Sequence, residues 1–573
     1  MQEAAARFIL AQVGAGFAAP ADEERSINMN SLADKVVYQI YPKSFQDTNG
    51  DGFGDLRGVI ERLDYLQELG VDYLWITPFF TSPQNDNGYD IADYRQIDPR
   101  YGTMEDFEEL VEEAKKRGMY LMMDMVLNHT STQHEWFQKA LKGDPKYRDY
   151  YIFKKGKNGL PPTNWVSKFG GNAWSYLPET DEYYLHLFHV TQADLNWENP
   201  KVRQELYDAV NFWLEKGVKG LRFDVVNLVS KPDVYEDDLE GDGHRFYTDG
   251  PKIHQYLQEL NENTFGKYDD VVTVGEMSST TLENSIRYSH PDSHELSMIF
   301  SFHHLKVDYP SGNKWEVEPF RFHELKNHLF SWQEEMERGG GWNALFWCNH
   351  DQPRIVTRIG DDGKYRKESA KCLATAIHGL RGTPYIYQGE EIGMTNAGFS
   401  SIEEYRDIES LNYYTILKQK GKTEEEVMKI LGAKSRDNSR TPMQWDDSAF
   451  AGFSTTEPWI PVCSRYPEIN TLDRDEEDSI FRYYQELVKL RKELPVIQDG
   501  TVIPLLREDD RILAYERKLE DQELYVFCNF FEEETAVPFD VPEGCRCILS
   551  NYGDEVMPGE VRLRAYEAVM FLK

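Results

Sequence analysis

The sequence predicts an α/β fold: a closed (β/α)8 barrel of the TIM-barrel class, with a small domain inserted after the third strand and an antiparallel β-sandwich at the C-terminus. Three observations predict it. Eight short apolar runs recur up to residue 389. Most are followed by helix-patterned stretches such as "MEDFEELVEEAKKRG" (104–118). After about residue 500 apolar runs continue without helices between them. Apolar strands alternating with amphipathic helices mark a parallel sheet buried on both faces, and eight such units close a barrel.

Along the chain, residues 1–30 hold a weak apolar run with no net positive charge in the first seven residues, a poor secretory leader. They are read as a disordered or expression-derived extension. The barrel is expected over 31–129 and 195–500. Its strands are "VVYQIYP" (36–42), "YLWITP" (73–78), "YLMMDMV" (120–126), "GLRFDVV" (220–226), "VVTVGE" (271–276), "LSMIFSF" (296–302), "ALFWCNH" (344–350) and "TPYIYQG" (383–389). Residues 130–194 are too long for one crossover helix and rich in Gly, Pro, Asn and aromatics; they form the inserted, loop-rich domain. A second insertion, 390–460, follows the eighth strand. Residues 501–573 ("RILAYERKL", "ELYVFCNF", "VRLRAYEAVMFLK") read as the sandwich.

The 573 residues carry 63 Lys and Arg against 99 Asp and Glu, a net charge of −36. Such a surface repels nucleic acid and anionic lipid and suits a neutral substrate. The six cysteines form no disulfide framework or zinc set, which fits a reducing, cytoplasmic setting. No run of about 18 apolar residues spans a membrane.

Two stretches carry candidate chemistry. "DTNGDGFGDL" (47–56) places oxygen-bearing side chains at Asp47, Asn49, Asp51 and Asp55. The spacing suits a hard cation, but an EF-hand needs Glu at its twelfth position, which is Gly58. A fixed metal loop after a strand and a plain Asn/Asp/Gly turn both remain open. The second stretch is the set of strand ends, where barrel active sites lie. Asp124, Asn128 and His129, Arg222 and Asp224, Glu276, and His350 and Asp351 all stand there. A retaining glycosidase needs one ionised carboxylate and one protonated one. Arg222 lies two residues before Asp224, on the same strand face. Its guanidinium would depress the Asp pKa, so Asp224 suits the nucleophile. Glu276 ends an apolar strand that would raise its pKa, so it suits the acid/base.

These motifs resemble the α-amylase family, glycoside hydrolase family 13, from about Leu32 onward. "DMVLNH", "GLRFDV", "VGEM" and "FWCNHD" look like its four short regions, in order. "QNDNGYDIADY" (84–94), "QADLNWENP" (192–200), "GTPYIYQGEEIGMTN" (382–396) and "SRDNSRTPMQWD" (435–446) are most similar to the oligo-1,6-glucosidase and α-glucosidase branch. The resemblance implies that Asp224 is nucleophile, Glu276 acid/base and Asp351 a third carboxylate gripping the sugar. It implies that Asp86, Tyr89, His129, Arg222, His350 and Arg440 line a pocket for the terminal glucose, with Asp86 and Arg440 paired across it. Phe169 and Gln192 would border the pocket from the inserted domain. It makes Asp47, Asn49, Asp51 and Asp55, with the Phe53 carbonyl, a structural calcium loop that magnesium would also fit; no organic cofactor is implied. Val225, directly after the nucleophile, goes in this branch with α-1,6 linkages.

The resemblance implies an exo-acting, retaining α-glucosidase preferring isomaltose and isomalto-oligosaccharides, working as a monomer or weak homo-oligomer. The rivals on this scaffold are an α-1,4-glucosidase, a dextran glucosidase, a trehalose-6-phosphate hydrolase and a sucrose isomerase. "SFHHLKVDYPSGNKW", after the sixth strand, lacks the paired arginines of an isomerase, and no basic cluster for a phosphate is evident. A non-catalytic binding protein of this fold would have lost the carboxylates that this chain keeps.

Overall fold

The computed structural model describes residues 30–573. The expected 1–30 extension therefore lies, apart from its last residue, outside the described residues. The eight barrel strands are β1 (Val37–Ile40), β2 (Tyr73–Ile76), β3 (Tyr120–Val126), β4 (Gly220–Asp224), β5 (Val272–Glu276), β6 (Met298–Phe300), β7 (Ala344–Leu345) and β8 (Thr383–Tyr387). They form one parallel sheet in the order β6-β5-β4-β3-β2-β1-β8-β7. A parallel bridge between Ile299 and Asn343 joins β6 to β7 and closes the cylinder. Every residue of β1, β2 and β4 is buried, which is why these runs read as continuously apolar.

Strand β7 stops at Leu345, five residues short of the expected run. The next carbonyl, Phe346 O, accepts from His304 Nε2 at 2.8 Å and is not in the ladder. The chain then leaves the sheet and carries His350 and Asp351 over the mouth. Crossover helices carry strong sequence marks. Met104–Lys116 opens on a capping box between Thr103 and Asp106, with Phe107, Leu110 and Ala114 buried.

The inserted segment leaves and rejoins the barrel through an antiparallel ribbon, His129–Ser131 against Gln192–Asp194. Beyond it lies a three-stranded sheet of Phe153–Lys154, Glu182–Leu185 and Trp174–Leu177. The ribbon pairs His129 with Asp194 and Gln192 with Ser131, and the His129 and Gln192 side chains meet diagonally across it. After β8, helices Ile408–Gln419 and Glu424–Lys434 lead to the short turn Asp437–Arg440. At the C-terminus a five-stranded antiparallel sheet faces a two-stranded ribbon. Phe527, Val537, Leu563 and Phe571 pack between them. Tyr515 and Arg517 of the sheet bond the carbonyls of Ala376 and Gly379, at the end of a barrel helix. Among the described residues, no helix is long and apolar enough to cross a membrane.

Candidate active site

The register of β3 and β4 sets Arg222 beside Asp124. Alternation along β4 then brings Asp224 to the same face. Arg222 is buried, and one nitrogen, Nη1, donates to Asp124 Oδ1 and Asp224 Oδ1, both at 2.7 Å. Its Nη2 donates to Glu276 Oε2 at the end of β5. Asp124 is also held by Tyr89 Oη at 2.8 Å and Trp75 Nε1 at 3.0 Å. Asp224 and Glu276 lack these further donors and share only the Arg222 guanidinium.

Burial pushes the pKa of Asp224 well up, over the opposing pull of Arg222, and the Glu276 charge adds to the rise. Burial raises Glu276 as well, with the charges of Asp351 and Asp124 adding to it against Arg222. The expectation that Arg222 depresses Asp224 is therefore corrected. Three carboxylates share one guanidinium in a buried site, and one cation cannot offset them all. Burial and the mutual repulsion of the carboxylates thus make both Asp224 and Glu276 hold a proton more readily than a free carboxyl does.

Asp351 behaves in the opposite way. Burial works against its charge, yet the guanidinium groups of Arg436 and Arg440 hold its carboxyl far below the usual range. Arg440 Nη2 donates to Asp351 Oδ1 at 2.6 Å, and Arg440 Nε to the His350 carbonyl at 2.8 Å. Burial pushes His350 down to about 3, so its imidazole is neutral at pH 7. The His350 ring stacks on Tyr89, with centroids 5.0 Å apart.

The far wall is built by Asp86. Its Oδ2 accepts from Gln192 Nε2 at 3.0 Å. Gln192 Nε2 also lies 3.2 Å from His129 Nε2. Asp86 Oδ1 accepts from Arg436 Nη2 at 2.9 Å. The expected Asp86–Arg440 pair is thus corrected: Arg440 serves Asp351, and Arg436 serves Asp86. Arg436 also reaches Asp351 at 3.3 Å and Asp407 at 2.5 Å, and its guanidinium lies 4.7 Å from the Phe169 ring centre. Arg436 and Asp407 were not singled out in the sequence. The signal for Arg436 was its place four residues before Arg440, one helical turn away.

Val225 stands at φ 35°, ψ 38°, a left-handed conformation that β-branched residues avoid. Its side chain packs with Trp165, Leu228 and Tyr247 in the core beneath the inserted domain.

Two lysines missed in the sequence lie beyond Glu276. Lys168 Nζ, from the inserted domain, lies 3.2 Å from Ser278 Oγ. Lys306 Nζ, after β6, lies 3.3 Å from Ser279 Oγ. Among the described residues, neither ammonium has a carboxylate partner. Burial and the neighbouring Lys306 push Lys168 down to about 8, against the pull of Asp242 and Glu276. Burial lowers Lys306 as well.

The acidic loop closes on itself. Asp47 accepts from the backbone N–H of Asn49, Gly50 and Gly52 and from Ser454 Oγ, which fills all four of its acceptor positions. Asp51 accepts from Phe53 N and Asn49 from Asp51 N. Asp55 binds Thr48 and caps the helix that starts at Leu56, through Gly58 N. Among the described residues, no group of three or more His, Cys, Asp or Glu side chains is arranged to hold a metal. As folded, Asn49 and Asp51 are the side chains with oxygen positions to spare for a cation.

Comparison with known proteins agrees with this geometry. The model of the α-amylase catalytic domain matches residues 39–500. The trehalose-6-phosphate hydrolase of Bacillus subtilis (strain 168) is 55% identical over 94% of this chain and 97% of its own length. The oligo-1,6-glucosidase of Parageobacillus thermoglucosidasius is 50% identical over 94% and 98%. A crystal structure of the trehalose-6-phosphate hydrolase of Bacillus licheniformis superposes with a TM-score of 0.90 at 55% identity, covering 94% of this chain and 99% of that one. Barrel, carboxylate cluster and full-length relatives agree, and the chain belongs to the α-amylase family, glycoside hydrolase family 13, as a glucosidase.

Proposed function

We propose that the protein is a retaining, exo-acting α-glucosidase whose substrate carries a phosphate on the leaving sugar, with trehalose 6-phosphate as the substrate. One observation carries this reading: Lys168 and Lys306, without carboxylate partners among the described residues, converge on Ser278 and Ser279, two and three residues after Glu276. An acid/base protonates the leaving oxygen, so this side of Glu276 is the side of the departing sugar. Two ammonium groups there suit a phosphate. The similarity to proteins named trehalose-6-phosphate hydrolase supports the same choice.

In this reading Asp86, Gln192, His129, Tyr89, His350 and Arg440 bind the terminal glucose, and Phe169 backs Arg436. Arg222 orients Asp224 and Glu276. Glu276 in its protonated form gives its proton to the leaving oxygen while ionised Asp224 attacks the anomeric carbon. Glu276 then takes a proton from water, which releases α-glucose. Asp351, held ionised, grips the ring hydroxyls. A second reading, α-1,6 cleavage of neutral isomaltose, is favoured by Val225. We also propose that the loop around Asp47 takes a structural calcium through Asn49, Asp51 and the Phe53 carbonyl. The six free cysteines fit a cytoplasmic protein, working as a monomer or weak homo-oligomer.

The test is kcat/KM on trehalose 6-phosphate, trehalose and isomaltose. The proposal predicts the phosphorylated sugar to lead by about 10² or more, the worth of two charge-assisted hydrogen bonds. Equal or better turnover of isomaltose overturns it.

A further inference from the structure

A groove of about 640 Å³ lies where the inserted domain meets the chain after β4, within the ~300–1,000 Å³ span of small-ligand sites. None of Asp224, Glu276, Asp351, Asp86 or Arg436 lines it. We propose that it is a second binding site, for a short neutral saccharide.

Its polar groups are left open in a way that suits hydroxyls. Arg148 gives Nη2 to Glu182 and lies 3.5 Å from the Phe153 ring centre, but its buried Nη1 has no partner. Lys154 has no carboxylate partner among the described residues, and its ammonium lies 4.8 Å from the Tyr235 ring centre. Across the groove stand Glu198 and Asp233, which share Lys252. Donors and acceptors thus line the groove together with the aromatic rings of Tyr151, Phe153, Trp197 and Tyr235.

Charge decides the ligand class. Arg148, Lys154 and Lys231 supply three positive charges. Asp149, Glu182, Glu198 and Asp233 supply four negative ones. The balance, 3 − 4 = −1, gives an anion no net attraction. A polyhydroxyl gains hydrogen bonds from both kinds of group and pays no charge desolvation.

The floor of the groove connects to the catalytic pocket. Lys231 Nζ donates to Asn128 Oδ1 at 2.8 Å and pairs with Asp194 at 2.9 Å. Asn128 Nδ2 lies 3.1 Å from His129 Nδ1, and the other ring nitrogen of His129 meets Gln192. A saccharide on this floor bears on the residues that hold the terminal glucose, so its occupancy shifts KM for the substrate.

Saturation-transfer NMR with isomaltotriose tests the site, with excess 1-deoxynojirimycin filling the catalytic pocket. The expected result is a residual saccharide signal in the wild-type protein. It should weaken about tenfold, the loss of one to two hydrogen bonds, in Arg148→Ala/Lys154→Ala and in Asp233→Ala. Wild-type turnover of p-nitrophenyl α-glucoside by at least one variant shows that the fold survives. A signal abolished by the inhibitor in the wild-type protein, or unchanged in the folded variants, overturns the proposal.

Discussion

Replacing Lys168 and Lys306 together by Ala tests the substrate choice through residues outside the carboxylate cluster. Each ammonium lies beside a serine rather than a carboxylate, so removal leaves no buried anion unpaired. The loss is then the contact to the phosphate itself. A charge-assisted hydrogen bond contributes about 1.5–3 kcal/mol, so the pair contributes about 3–6 kcal/mol, or about 10²–10⁴ in kcat/KM, if the two act independently. The assay is the release of glucose from trehalose 6-phosphate, with isomaltose and p-nitrophenyl α-glucoside as neutral controls. Neutral substrates should change by less than about threefold, since no phosphate contact is lost. The pH profile carries a second mark. Lys168 is charged below about 8 and neutral above it, while a sugar phosphate is a dianion above about pH 6. KM for the phosphorylated substrate should be lowest between about 6 and 8 and rise in more alkaline solution, and KM for the neutral aryl glucoside should not follow. Equal losses on phosphorylated and neutral substrates would refute the reasoning, because they would make the lysines general supports of the mouth.

Further outcomes follow from the same geometry. Glu276→Gln should lower turnover of trehalose 6-phosphate by about 10²–10⁴, the usual worth of acid/base help, with an unchanged melting curve; near-normal turnover removes Glu276 from that role. Val225→Thr should move the maltose-to-isomaltose rate ratio toward maltose. An unchanged ratio leaves Val225 as packing against Trp165 and Tyr247. Chelation should lower Tm while turnover below the transition is kept, because the hydrogen bonds of Asp47, Asn49, Asp51 and Asp55 stay within the loop and its neighbours and reach none of the catalytic carboxylates. An unchanged Tm identifies a turn sustained by its own hydrogen bonds.

The barrel was legible because its strands are buried on both faces. Apolar runs such as "VVYQIYP" leave no polar face to blur the pattern, and the run holding β1 stands at the expected place. The carboxylates were legible for a related reason, since barrel topology brings strand ends together whatever their separation in sequence. Two features were not. Salt-bridge choice is one: Arg436 and Arg440 lie one turn apart, and no spacing rule decides which of them meets Asp86. The three-dimensional placement gives Asp86 to Arg436 and Asp351 to Arg440. Loop convergence is the other. Lys168 and Lys306 sit in irregular segments of different parts of the chain, without periodicity, and only the folded loops set them beside Ser278 and Ser279. The pKa of Asp224 was misread because a single neighbour, Arg222, was weighed without the burial that three carboxylates share.

The most direct test of the central claim is a trapped covalent intermediate. The enzyme is incubated with 5-fluoro-α-glucosyl fluoride, digested, and its peptides are mapped by mass spectrometry. The account predicts one glucosyl adduct, on the carboxyl of Asp224. An adduct on Glu276, Asp351 or Asp124, or turnover with no adduct and release of β-glucose, would contradict it.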